Sequence, residues 1–226
     1  MRVLTFLLEA SSSFVILFEQ IEKSFHLARI KKKGEIRMHI LGLSGTPRKG
    51  GNSEILLDAA LTPFEDAGWD ITRILLSELS ITPCVGCETC VERCACITND
   101  DMEKIYKAYE QCDAIIISAP VYWRNVPAQL KAVFDRTYAV GGKKPLEGKL
   151  GGAICVGRGS SGGQAIVLNV IHNFYLSCGV LCVPGELNGV TASADKPGDI
   201  LNQPRRLKQA QILGENILQY SNRHRK

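Results

Sequence analysis

Residues 39–53 read HILGLSGTPRKGGNS, and the fold follows from how this stretch is divided. HILGLSG is a short apolar run that ends in a glycine-rich turn. NSEILLDAALTPFEDAG (52–68) then carries apolar residues at helical spacing, with Asn52 or Ser53 placed to cap a helix and Gly68 placed to stop it. The same strand–turn–helix pattern recurs down the chain. DITRILLS (70–77) alternates in strand fashion, and DDMEKIYKAYEQC (100–112) is an amphipathic helix with Asp100 and Asp101 at its positive end. DAIIISAP (113–120) is a strongly apolar strand. VPAQLKAVFDRTYAV (126–140) is a helix with Pro127 tolerated in its first turn. KLGGAICVG (149–157) predicts a fourth strand, SGGQAIVLNVIHNFYLSCG (161–179) a fourth helix and VLCVPG (180–185) a short fifth strand. ILNQPRRLKQAQILGENILQYSN (200–222) is mostly helical, with Pro204 near its start. Strands and helices that alternate five times predict an α/β fold with a parallel sheet covered on both faces. Such sheets bind ligands beyond the carboxyl ends of their strands.

Three loops fall at that edge. The first, SGTPRKGGNS (44–53), offers hydroxyls at Ser44, Thr46 and Ser53, the Asn52 amide, glycines including Gly51, and the cations Arg48 and Lys49. Backbone N–H groups, hydroxyls and a positive helix end suit a dianionic phosphate. It is not a triphosphate loop, because Gly51 and Asn52 stand where Lys and Ser or Thr are required, and GLSG is not a dinucleotide fingerprint. The second, SAPVYWRN (118–125), sets Tyr122 and Trp123 just past an apolar strand, where aromatic faces and backbone amides suit a flat heterocycle; a hydrophobic lid or dimer contact is the other reading of Trp123. The third, GRGSSG (157–162), matches G-x-G-x-x-G, but it follows the fourth strand and no acidic residue ends the next one. It reads as a flexible loop that lets backbone approach a planar ligand, not as a dinucleotide site.

Between the second strand and the next helix lies CVGCETCVERCAC, with Cys84, Cys87, Cys90, Cys94 and Cys96. Five thiols so close together call for an oxidised pairing partner, a metal or a redox task. Cys112, Cys155, Cys178 and Cys182 fall in apolar or helical stretches and read as small buried hydrophobes. His39 and His172 lie inside a strand and a helix and read as satisfied core residues, so no side-chain general base stands out.

With 226 residues the chain suits one domain, with room for an appendage. A net charge of +4 spread along the sequence gives no reason to expect nucleic acid. Long hydrophobic runs rather than scattered cysteines argue for a reducing cytoplasm. Residues 1–37 carry two apolar runs, VLTFLL and SSFVILF, interrupted by Glu9 and Glu19; neither reaches the roughly 20 residues a membrane-spanning helix needs. They read as a helical N-terminal extension bounded by KKKGE (31–35). Met38 opens a complete-looking domain, 38–226, and a second reading makes it the translation start.

Taken together, SGTPRKGGNS, SAPVYWRNVPAQLKAVFDR and GRGSSGGQ resemble the flavodoxin-fold NAD(P)H-dependent FMN reductase superfamily. The cysteine run followed by ITNDDM resembles its iron-sulfur flavoprotein branch. The resemblance covers about residues 38–190. It implies a flavodoxin-like, doubly wound, five-stranded parallel sheet of order 2-1-3-4-5 with the cysteine loop 84–96 inserted after strand two. It implies one FMN per subunit, with Ser44, Thr46, Arg48, Asn52 and Ser53 round the phosphate, and Lys49 and Gly51 in the same loop. Pro120, Val121, Tyr122, Trp123 and Asn125 would flank the isoalloxazine, with Gly157 and Gly159 at its other edge.

The branch's cysteine pattern matches Cys84, Cys87, Cys90 and Cys96, which leaves Cys94 as an extra thiol. It also implies a 4Fe-4S cluster, a ferredoxin-like donor, and a homodimer or homotetramer. Electrons would pass from that donor through cluster and FMN to oxygen, peroxide or a quinone. From the residues alone, C-x2-C-x2-C favours iron–sulfur over the separated C-x2-C arms of zinc sites. A redox dithiol and unligated thiols remain open. So do two other function classes: a cluster-free NAD(P)H-dependent FMN or quinone reductase, and a non-catalytic module stabilised by FMN or zinc.

Overall fold

The strand Ala114–Pro120 shows how the sheet is clothed. Ile115 and Ile117 point into one apolar cluster and Ala114 and Ile116 into the other, as the two-residue period of a strand requires. The structure, a computed structural model, describes residues 37–159 and 163–224. The strands β1 (His39–Ser44), β2 (Asp70–Leu75), β3 (Ala114–Pro120), β4 (Leu150–Gly157) and β5 (Leu181–Cys182) lie in the order β2-β1-β3-β4-β5. All of these pairings are parallel, the order the resemblance implies.

Helices α1 (Asn52–Asp66) and α6 (Pro204–His224) pack on one face through Leu57, Ala60, Phe64, Leu213 and Ile217. Helices α3 (Met102–Gln111), α4 (Ala128–Arg136) and α5 (Gly163–Ser177) cover the other through Ile105, Tyr109, Leu130, Val133, Val167 and Ile171. A short helix, α2 (Thr89–Arg93), sits within the cysteine loop.

The fifth strand departs from expectation. VLCVPG pairs with β4 only at Leu181 and Cys182. The edge is continued by β6 (Val190–Ser193), parallel to β4 from Ile154 to Gly157. GVTAS gave no strand signal because only Val190 and Ala192 are buried, too short a pattern to read. Cys182, expected inside, is exposed on this edge; Cys112 and Cys155 are buried as expected and Cys178 is intermediate.

Helix α1 is capped differently from the expectation for Asn52 or Ser53. Gly51 is the N-cap and no side chain caps it. The Asn52 amide is occupied elsewhere: its Nδ2 donates to Lys196 O at 2.8 Å and its Oδ1 accepts from Ile200 N at 3.2 Å. Glu54 instead takes the Gly50 amide at 3.0 Å. Similarly, Pro127 stands just outside α4 as its N-cap rather than within the first turn. Helices α1 and α6 approach so closely that a Cβ on Gly214 would collide with the Ala60 carbonyl oxygen.

Residues Met38–Lys226 form one compact unit. The reading of residues 1–37 as an extension falls, up to residue 36, outside the described residues. None of the described helices is long and apolar enough to cross a membrane.

Candidate functional site: a cofactor cleft and a cysteine hollow

The carboxyl ends of β1, β3 and β4 open into a cleft of about 410 Å³, within the range of small-ligand sites. Three loops build it, as the fold predicts for a parallel sheet. From the first come Thr46, Arg48, Gly51, Asn52 and Ser53. Thr46 is held by the Arg48 amide, which donates to its Oγ1 at 3.2 Å. The first intrahelical bond of α1 runs from Glu54 N to Gly51 O at 2.9 Å, so the amides of Asn52 and Ser53 precede it. That leaves a positive helix end with unpaired first-turn N–H groups at the cleft, the local chemistry an anionic phosphate needs.

The second loop contributes Pro120, Val121, Tyr122 and Trp123. Tyr122 and Asn125 exchange backbone hydrogen bonds at 2.8 and 3.0 Å. The two residues between them have positive φ, 47° at Trp123 and 60° at Arg124. Neither is glycine, and left-handed backbone costs roughly 1–2 kcal/mol per such residue. The turn holds Trp123 fully in solvent at the rim. Strain of this kind is characteristic of functional loops.

The third wall holds Val156, Gly157 and Arg158. It is completed by Ala194, Asp195 and Pro197 from the segment after β6. These last three had no sequence signal, because the strand that positions them was itself unread. The Asn52 bonds to Lys196 and Ile200 tie this segment to α1, and Arg158 pairs with Asp195 at 2.6 Å across the exposed rim.

Four of the expected cofactor residues lie elsewhere. Ser44 is fully buried behind the loop, and its hydroxyl has no hydrogen-bond partner. Lys49 pairs with Glu78 at 3.0 Å. Asn125 turns its Oδ1 to the Val126 amide at 2.8 Å, and the Gly159 carbonyl accepts from Gln164 Nε2 at 2.7 Å. Gly157 does line the cleft, but the close approach there is by Gln164, whose Nε2 would stand 2.7 Å from an added Cβ.

A second hollow, of about 160 Å³, is lined by Cys84, Cys87, Cys90 and Cys96, with Val85, Ile97, Tyr138 and Ala139 among its walls. Cys94 does not line it, and stands exposed at the left-handed end of α2. The loop reverses at Gly86, whose φ of 67° suits glycine. Cys90 and Cys96 rest against the core, whereas Cys84 and Cys87 face solvent. Hydrogen bonds from Thr89 lower the Cys87 thiol below its ordinary value. Among the described residues no three His, Cys, Asp or Glu side chains converge closely enough to hold a single ion. The hollow that the four cysteines line has room for a polyatomic group.

Arg136, which sequence reading did not single out, is 2% exposed and lines the same hollow. Its Nη1 donates to Asp100 Oδ2 at 2.8 Å and Thr82 O at 2.7 Å, and its Nη2 to Asp100 Oδ1 at 3.1 Å and Thr98 O at 3.3 Å. Asp100 also accepts the Thr82 and Met102 amides at 2.9 and 3.0 Å. Burial opposes the Asp100 charge, but Arg136 and these amides outweigh it and hold the carboxyl at about 2. Both ends of the cysteine loop are thereby clamped to one buried ion pair. The Arg136 Nε has no partner, so an unmatched charged donor belongs to a residue on the same lining as the four cysteines. These residues fit an anionic thiolate-bound group.

A helix start and an aromatic-rimmed cleft, set at the carboxyl edge of a 2-1-3-4-5 parallel sheet, define a flavodoxin-like fold. The chain belongs to the NADPH-dependent FMN reductase family, which it matches over residues 38–193; it is a flavin-dependent oxidoreductase. It is 35% identical over 184 residues to an iron-sulfur flavoprotein of Methanocaldococcus jannaschii, covering 80% of this chain and 95% of that one. An iron-sulfur flavoprotein of Methanosarcina thermophila is 39% identical over 147 residues, 65% of this chain and 77% of the other. Among solved structures, the NAD(P)H:quinone oxidoreductase of Methanothermobacter marburgensis superposes with a TM-score of 0.63 at 20% identity. It covers 80% of this chain and 96% of that one, a likeness of fold.

Proposed function

We propose that the protein binds FMN in the cleft and a 4Fe-4S cluster on Cys84, Cys87, Cys90 and Cys96. In this reading it passes electrons from a ferredoxin-like donor to a small acceptor such as oxygen, peroxide or a quinone. The observation that carries the reading is the sorting of the thiols: four of the five line one hollow and Cys94 stands outside it. When bound, the two groups would supply one-electron and two-electron chemistry side by side. The chain's own part is placement. Thr46, Ser53 and the start of α1 would hold the phosphate, with Arg48 offsetting its charge. Tyr122 and Trp123 would border the ring on a turn held at positive φ. Arg136 and Asp100 fix both ends of the loop that presents the thiols. Long hydrophobic runs rather than scattered cysteines support a reducing compartment such as the cytoplasm. Assembly as a homodimer or homotetramer belongs to the same proposal.

An anaerobic absorption spectrum of freshly purified protein, with iron, acid-labile sulfide and zinc assayed on the same sample, tests the reading. Flavin bands with about four iron and four sulfide per chain are expected. Flavin without iron would leave a simple NAD(P)H-dependent reductase, and zinc in place of iron a structural clip.

A further inference from the structure

The guanidinium of Arg136 has five N–H donors. Four N–H···O contacts, to Asp100, Thr82 and Thr98, occupy its two terminal nitrogens, and Nε is left buried with no acceptor. A buried, unmatched donor is unfavourable, and more so when it is charged. At 2% exposure bulk water offers little relief. The hollow that Arg136 lines has apolar walls at Val85, Ile97 and Ala139. Of the two carboxylates on its lining, Asp135 is paired with Lys131 at 2.5 Å and Glu88 lies on an exposed stretch of the loop. As thiolates, Cys84, Cys87, Cys90 and Cys96 are the remaining anionic groups on this lining.

We propose that Arg136 donates its Nε–H to a sulfur of the iron–sulfur group held by these cysteines, and that this bond raises the group's reduction potential. The inference rests on the cluster-bearing reading given above. The charge of Arg136 is balanced by Asp100 at 2.8 Å, so the Nε–H bond is the element left to favour the more negative, reduced state. Hydrogen bonds to the sulfurs are among the factors that set cluster potentials. Lysine at this position would keep the charge, but its compact ammonium cannot span Asp100, Thr82 and Thr98 and still reach a sulfur.

The test compares wild type with Arg136→Lys in anaerobic redox titrations followed by EPR, with iron, sulfide and FMN counted in both. Equal cofactor content with a more negative cluster midpoint and an unchanged flavin midpoint is the expected result. Equal cluster midpoints in two iron-loaded proteins would overturn this inference alone, whereas an iron-free wild type would overturn the underlying reading with it. Should the variant lose its cluster, wild type carrying guanidino-15N arginine decides by pulsed EPR of the reduced cluster. Modulation from arginine 15N supports the bond, and none overturns it.

Discussion

Arg136 at the end of α4 and Asp100 just before α3 lie 36 residues apart in sequence and meet at 2.8 Å in a pair of which the arginine is 2% exposed. The pair reaches Thr82 on one side of the cysteine run and Thr98 on the other. The loop is therefore anchored at its base by charge-assisted hydrogen bonds, while Cys84, Cys87 and Cys94 stay at the surface.

The pair makes stability depend on pH. The folded carboxyl of Asp100 sits at about 2, below its ordinary value of 3.8. A depressed carboxylate contributes stability that is complete above its unfolded value and is lost as pH falls through the folded one. Asp100→Asn should lower the unfolding free energy at pH 6 by about 3 kcal/mol, the cost of breaking a buried pair. Its penalty should shrink as pH drops from about 4 towards 2. Denaturant titrations at pH 6 and pH 3 would show this, and an equal penalty at both would contradict the linkage.

The contact between α1 and α6 leaves no room at Gly214. In Gly214→Ala the new Cβ meets the Ala60 carbonyl, which is backbone and cannot rotate away. A loss of about 2 kcal/mol is expected from overpacking, read as a lower urea midpoint with the slope unchanged. Wild-type stability in the variant would mean that the helices separate freely.

Flavin retention should depend on Arg48. Hydrogen bonds to charged groups contribute about 1.5–3 kcal/mol, so Arg48→Glu is expected to weaken FMN binding tenfold or more in fluorescence titrations. Unchanged flavin content would remove Arg48 from the phosphate site.

The two sites should separate genetically. Cys87→Ala should abolish the iron signal and leave FMN bound, because the hollow and the cleft share no lining residue. Loss of both cofactors would sink that independence. Cys94→Ser, outside the hollow, should keep the full iron content.

Much of this was legible in the chain itself. The alternation of apolar runs and helical stretches determined a parallel sheet covered on both faces, because burial on two sides demands apolar strands such as Ile115–Ile117. The resemblance to the iron-sulfur branch picked out Cys84, Cys87, Cys90 and Cys96, the cysteines that line one hollow, and the loop 44–53 read as a phosphate-type turn. These are local patterns, set by strand and helix period and by turn chemistry. The tertiary structure alone decided which residues meet. It put Asn52 on the 196–200 segment, turned Lys49 to Glu78, extended the sheet edge with β6, and buried Arg136 against Asp100 beneath the cysteines. Partners tens of residues apart leave no periodic trace in sequence; only the packing of the sheet and its helices brings their charges within reach.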